Sequence, residues 1–308
     1  MAGLEAIFRP TAGMRPRLAC EIRREGLIAA RATREKHGAG EPVLAFAPLP
    51  EGALTPGLKV PNLANRPAVI AAMSQVLDAT SPRERALTLV VPDAAARVLL
   101  LDFDTLPGHR HEALPVVRFR LRKMVPFDVE TAAVSYQAMA HRSGAVSVLV
   151  TVMPAEVLAE YEAAAREAGY EPGAVLPSTL AAVAVLGSEG APLVVNHSGD
   201  SVTTAVTQGD ELLLHRSIDL PAEAGARDEE IARAVITTLA WYEDTLRAVP
   251  AVIGYAGPGG AAAAAESRWF GFVDRAPQIE DLVPAPGAGL MTSIPAGVTA
   301  GVMGALAS

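Results

Sequence analysis

Two hydrophobic periods alternate along the chain, and their switching marks out the elements. From Arg17 to Thr33, two short strand-like runs flank Arg23-Arg24-Glu25-Gly26, which predicts a hairpin. The Pro- and Gly-rich stretch 46–60 reads as an irregular connection. Val69, Ile70, Met73, Val76 and Leu77 predict a helix over Pro67–Leu77, and a buried strand over Leu87–Val91 follows, closed by Pro92. Val98–Leu101 is the next strand, ahead of a turn at Leu106-Pro107-Gly108. Leu114, Val117, Leu121, Met124 and Val125 mark a helix that Pro126 ends, with Arg118, Arg120, Arg122 and Lys123 on its other face. Strands follow over Ala132–Met139 and Ala145–Met153. A helix from Pro154 to Ala168 then turns Val157, Leu158 and Tyr161 inward and stops at Gly169. Val175-Leu176 and Ser178–Leu186 give a short strand and a helix, with a turn over 187–192.

The second half opens at Leu193 with LVVNHSGDSVTTAVTQGDELLLHRSI. It reads as two antiparallel strands turning at Gln208-Gly209-Asp210, with a third short strand ending at Ile218. Asp228 is the predicted cap of a helix whose inner stripe is Ile231, Val235, Leu239, Tyr242 and Leu246. A strand over Val249–Tyr255 leads into the turn Ala256-Gly257-Pro258-Gly259-Gly260 and an Ala-rich helix. Pro295–Ala307 predicts a buried final helix with Pro295 in its first turn. Strand-turn-strand units at 17–33 and 193–207 make the two halves look duplicated.

Composition narrows the function. Half of the 308 residues are apolar and 19% are charged, which suits a globular chain with cores that need no staples. A net charge of −8 argues against general affinity for nucleic acid or anionic headgroups, so the basic helix is local. Cys20 is the sole cysteine and cannot form an intrachain disulfide, which suits a reducing compartment. No signal peptide is predicted. The 13 residues Pro295–Ala307 fall short of the roughly 20 that span a bilayer, so a soluble protein is expected.

Enzyme motifs are few. Gly199-Asp200-Ser201 spells the nucleophile block of GDS-type esterases, but the only later histidine, His215, lies just 14 positions on, where those enzymes carry it far downstream. His109 and His111 beside Glu112 fit either a metal site or an exposed turn. Cys20 has no paired histidine and reads as a buried thiol.

The basic helix running into Lys123-Met124-Val125-Pro126-Phe127, the strand carrying Tyr136-Gln137, and the hairpin ending Arg216-Ser217-Ile218 occur in that order. Together they resemble the PilM family of actin-like proteins in type IV pilus assembly platforms, and more distantly FtsA. The resemblance runs from Arg17 to Ala307 and is strongest over 97–137, 146–186 and 193–219. It implies an α/β, actin-like (ribonuclease H-like) two-lobed fold with an inserted strand-helix-strand-strand subdomain. After a flexible lead-in over 1–15, segments 16–90 and 175–190 would form the first lobe, 91–174 the insert and 191–308 the second lobe.

In actin-like ATPases each lobe's first hairpin cradles phosphate, and a late Gly-rich turn packs on the adenosine. The resemblance places those positions at Glu21, Arg23, Arg24 and Glu25, at Asn196 to Thr204, and at Gly254 to Gly260. Glu21 keeps a charge, but Arg23 stands where glycine is needed for backbone to approach phosphate, and Glu25 adds a negative charge there. Asn196 and Ser198 replace an Asp and a Gly, while Gly199, Ser201, Thr203 and Thr204 keep the small, hydroxylic character. Losing the Asp removes the most direct means of ordering Mg²⁺ or water. Arg23 and Arg24 read as a solvated face or as phosphate ligands themselves; Gly257, Gly259 and Gly260 read as an adenosine turn or a packing turn. A degenerate ATP site is expected, with ATP and Mg²⁺ as cofactors only if it is retained.

The resemblance also implies a scaffold on the cytoplasmic face of the inner membrane. It would bind the N-terminal tail of a PilN-like membrane protein in a groove between 67–91 and 97–137, and possible further partners are other platform and motor proteins. Arg118, Arg122 and Lys123 would flank that groove or form a solvated helix face. Phe127 and Tyr136 would line it or fill the core, the core being expected for Phe127. Two alternatives stand: an active ATPase moving its lobes on nucleotide, and the cytoplasmic part of a type II secretion platform.

Overall fold

The computed structural model describes residues 16–35, 38–81, 83–142, 144–186, 192–267, 269, 277–284 and 294–307. The lead-in over 1–15 and most of the turn over 187–192 lie outside them.

The first sheet has the order β3-β2-β1-β4-β8, from β1 (Leu18–Arg23), β2 (Gly26–Glu35), β3 (Gly38–Pro48), β4 (Ala86–Val91) and β8 (Glu171–Pro177). The second has the order β11-β10-β9-β12-β13, from β9 (Leu193–Ser198), β10 (Ser201–Gln208), β11 (Glu211–Asp219), β12 (Val252–Ala256) and β13 (Gln278–Asp281). In both, the first three strands are antiparallel and the last two join the first in parallel. The duplication read from the hairpins is therefore a duplication of whole sheets. All six residues of β1 are buried, because the strand is central and covered on both faces.

Helices α1 (Arg66–Thr80) and α3 (Ala155–Glu167) cover the outer face of the first sheet, where Val69, Met73 and Leu77 meet Val157, Tyr161 and Ala165. Helix α5 (Ala224–Leu246) covers the second sheet with Ile231, Val235, Leu239 and Tyr242, the stripe its periodicity predicted. The interior between the lobes holds α4 (Ser178–Ala182) and the last helix, α7 (Ala300–Ala307), while α6 (Gly260–Glu266) follows β12. A Cβ at Gly304 would lie 1.8 Å from the Ala181 carbonyl oxygen, so glycine is what lets α7 rest on α4.

The insert is a three-stranded antiparallel sheet, order β5-β7-β6, from β5 (Arg97–Phe103), β6 (Ala133–Arg142) and β7 (Ala145–Met153). Helix α2 (Arg110–Leu121) lies on one face through Ala113, Val117 and Leu121. Val98, Leu100 and Leu149 on the other face join the core between the lobes.

Several predicted boundaries move. Phe46 to Pro48 belong to β3, because β2 supplies a long partner; the irregular segment starts only after it. The basic helix stops at Leu121 and continues as turns toward Pro126. Helix α5 starts at Ala224 rather than after Asp228, whose carboxylate accepts the Trp269 Nε1 hydrogen at 2.8 Å instead of capping. Pro295 lies five residues ahead of α7. The 193–219 segment is three full strands, turning also at Gly199-Asp200, where Gly199 takes φ +57°. Finally, α3, expected within 91–174, packs into the first lobe, since Tyr161 and Ala165 fit its core, and β8, which pairs β4 there, begins at Glu171, ahead of the expected boundary at 175.

Candidate functional site

The two hairpin turns, Arg24-Glu25 and Gly199-Asp200, meet across the cleft between the lobes. Period two along β1 puts Glu21 and Arg23 on one face, where Ser178 of α4 and Gly301 of α7 lie against Glu21 and His197 of β9 lies against Arg23. They are 0% and 1% exposed. The Arg23 guanidinium donates to Glu21 Oε1 at 2.9 Å, to Glu25 Oε2 at 3.4 Å, and across the cleft to the His197 carbonyl at 2.8 Å. Glu25 Oε1 accepts the Gly199 N–H at 3.3 Å. Arg24 forms an ion pair with Asp200, which Arg227 of α5 also binds at 2.7 Å. Side chains thus join turn to turn.

Behind this layer lies a second, fully buried one. Ser178 Oγ donates to Glu21 Oε1 at 2.7 Å, and Asn196 Nδ2 donates to Ser178 Oγ at 3.0 Å and Thr179 Oγ1 at 2.8 Å. Asp93, just past β4, accepts from Thr179 N at 3.0 Å, Thr179 Oγ1 at 2.5 Å and Thr203 Oγ1 at 2.9 Å. Glu21 Oε2 and Asn196 Oδ1 are buried without a hydrogen-bond partner. Burial pushes the Glu21 carboxyl above its usual range, and Arg23 and the Ser178 hydroxyl pull it back only in part. Burial by itself would lower Arg23, but Glu21 and Glu25 outweigh it, and the guanidinium stays charged. Burial lowers His197, whose Nδ1 lies 3.3 Å from the Tyr255 hydroxyl.

A separate groove of about 280 Å³ opens where the insert meets the first lobe. Ala133, Ser135, Thr151 and Met153 form one wall, and Pro172 to Val175 the other, with Leu158 and Glu162 of α3 at the side. Its two long borders, β6 and β8, are the edge strands of their sheets.

No protein-family model matches this sequence, and no curated protein matches it. Among solved structures, a chain of the PilM–PilN type IV pilus biogenesis complex superposes with a TM-score of 0.72. That match covers 94% of this chain and 98% of the other at 18% identity. The fold is actin-like. The cytoplasmic domain of EpsL, an inner-membrane component of the type II secretion system of Vibrio cholerae, matches with a TM-score of 0.51. Its identity is 11%, over 94% of this chain and 92% of that one.

On the actin-like frame, Glu21, Arg23, Asn196 and Thr203 come together at the cleft floor, and Gly199 in the facing turn. Arg23 is buried in an ion pair, so the solvated-face reading does not hold for it; Arg24 is half-buried. Ser201 Oγ donates to the Ser198 carbonyl at 3.2 Å, while the half-buried His215 lies four residues further along the β10–β11 ladder. The Gly257–Gly260 turn is tightly packed. A Cβ at Gly260 would meet Asp281 at 2.6 Å, and Asp281 Oδ1 accepts the Ala261 N–H at 2.7 Å.

None of Arg118, Arg122, Lys123, Phe127 and Tyr136 lines the groove. Phe127 and Tyr136 pack on the α2 side of the insert sheet; Arg118 donates to the carbonyls of Glu130 and Ala132; Arg122 pairs with Glu130 at 2.6 Å. His109 and His111 stack at 5.7 Å, and no trio of metal-ligating side chains gathers among the described residues. Cys20 is buried, which pushes its thiol up. Among the described residues no helix is long and apolar enough to cross a membrane.

Sequence reading missed Asp93, Ser178, Thr179 and Arg227. A usable signal existed for three of them: Asp93 follows parallel strand β4 and Ser178-Thr179 follows β8, and the carboxyl ends of parallel strands are where α/β folds place their sites.

Proposed function

We propose that this chain is a docking scaffold of an inner-membrane pilus or secretion platform. In this reading its groove holds the N-terminal tail of a PilN-like membrane protein from the cytoplasmic side. The observation that carries it is the groove between the unpaired edges of β6 and β8, in a chain that aligns over 94% of its length with one from a PilM–PilN complex. An extended peptide there can bond main chain to main chain along either edge and place alternate side chains in the hollow. Titration with a synthetic tail of the neighbouring inner-membrane subunit tests this. Saturable micromolar binding is expected, and none at high micromolar peptide rejects it.

The same proposal includes a degenerate nucleotide site. Phosphate could reach the first turn only by displacing Arg23 from Glu21 and Glu25, and the second only by freeing the Gly199 N–H from Glu25. Glu21 and Glu25 would then stand beside a polyanion. Calorimetry with ATP and Mg²⁺ should give no heat of binding, and micromolar affinity with phosphate release would favour the ATPase reading. The EpsL likeness keeps the type II secretion platform as a second reading, separated from the first by which system's tail peptide binds.

A further inference from the structure

Neither the cleft nor the groove uses the outer face of α2. The helix buries Ala113, Val117 and Leu121, and its opposite side and the turn after it carry Val116, Phe119 and Met124. These are 38%, 70% and 45% exposed, half of the large exposed apolar side chains among the described residues, within nine positions. Around them lie Arg110, Arg118, Arg120, Arg122 and Lys123, against the single acid Glu112, so segment 110–123 carries +4 in a chain of −8. Glu130 offsets Arg122 at 2.6 Å, while Arg110, Arg120 and Lys123 have no ion-pair partner among the described residues.

We propose that this face docks on an anionic lipid surface. Phe119, Val116 and Met124 enter the boundary between headgroups and acyl chains, and Arg120, Arg122 and Lys123 meet the phosphates around them. The shape favours lipid over a protein partner. A helix of 12 residues is about 18 Å long and offers a narrow strip, whereas a stable protein interface covers about 800 Å² on each side. Phe119 is 70% exposed with the flexible Arg122 guanidinium over its ring, 5.9 Å from the centroid, and a fluid surface needs no preformed pocket to receive it. The acidic remainder of the chain does not cancel the patch, since charges beyond about 8 Å are largely screened at physiological salt.

The test is co-sedimentation of the full chain with vesicles of phosphatidylglycerol and phosphatidylethanolamine, and with phosphatidylcholine vesicles as the neutral arm. Partition to the anionic vesicles is expected, falling in high salt, with none to the neutral ones. Each basic side chain near such a surface contributes about fivefold in partition, so Arg120→Glu with Lys123→Glu should weaken it at least about 25-fold. The Phe119→Trp variant should show a blue shift of the introduced indole's emission on anionic vesicles. These positions are exposed, so the variants keep the fold, and tail-peptide binding should not change. The proposal is overturned by equal binding to both vesicle types, by partition that ignores the charge reversal, by an unshifted emission from the Phe119→Trp variant, or by patch-dependent binding of polyglutamate or heparin without vesicle binding.

Discussion

Replacing Arg23 with methionine removes the charge that sits in the cleft and keeps much of the volume. Both partners of the Arg23–Glu21 pair are at most 1% exposed, so water cannot take over when one leaves. Breaking such a buried pair costs about 3–5 kcal/mol, since the remaining charge stands unpaired. Arg23 also makes the bond to the His197 carbonyl, and a charged hydrogen bond across the lobes adds about 1.5 kcal/mol or more. Urea denaturation at pH 7.5 should place Arg23→Met at least about 3 kcal/mol below the parent. The double variant Glu21→Gln/Arg23→Met should recover most of that loss, because no buried charge is left. The sign of the pH dependence follows. Without Arg23, the Glu21 carboxyl rises further above its ordinary 4.5, so the folded variant holds a proton that the unfolded chain releases. Stability from a raised carboxyl is present at low pH and lost as pH rises through the folded value. The penalty of Arg23→Met must therefore shrink as pH falls from 8 to 5. A single variant within 1 kcal/mol of the parent, or a double variant no better than the single, would refute the buried-pair account (threshold about the error of such measurements).

Gly304→Ala should destabilise despite better helix propensity: the propensity gain is about 1 kcal/mol, and the clash with the Ala181 carbonyl exceeds the usual 1–3 kcal/mol of overpacking. A raised denaturation midpoint would show that α7 does not rest on α4. His197 is held neutral by burial, so its stabilising share is complete above the unfolded value of 6.5 and falls as pH drops below it. The parent should thus lose more stability than His197→Gln between pH 7 and 5, and parallel curves would contradict this. Ser135→Arg, at an exposed position of the groove wall, should abolish tail-peptide binding while shifting stability by less than about 0.5 kcal/mol. Unchanged peptide affinity would move the docking site elsewhere.

The elements themselves were legible because each is written in local periodicity. The α5 stripe of Ile231, Val235, Leu239 and Tyr242 and the strand over Ala145–Met153 needed no distant information. The paired strand-turn-strand openings were likewise enough to expect two lobes, since a hairpin is a contact between neighbours in the chain. Boundaries failed where a distant partner decided them: β3 extends through Phe46 because β2 is long enough to hold it, and α3 belongs to the first lobe because Tyr161 fits that core.

The candidate site depended far more on tertiary structure. Sequence alone identified Glu21, Arg23, Asn196 and Thr203 as residues that depart from or keep a phosphate-binding pattern, but it could not say what they face. A hairpin Arg–Arg–Glu looks solvated, and β9 arrives from 174 residues away to bury Arg23 and accept its hydrogen bond. Asp93, Ser178 and Thr179 share no spacing with those positions and meet them only when both lobes close around α4 and α7. Residue type and period are properties of a short stretch of chain and survive in any sequence window. Burial, ion pairing and the shift of a carboxyl depend on which remote segments exclude water from one point, and that is decided only when the whole chain has packed.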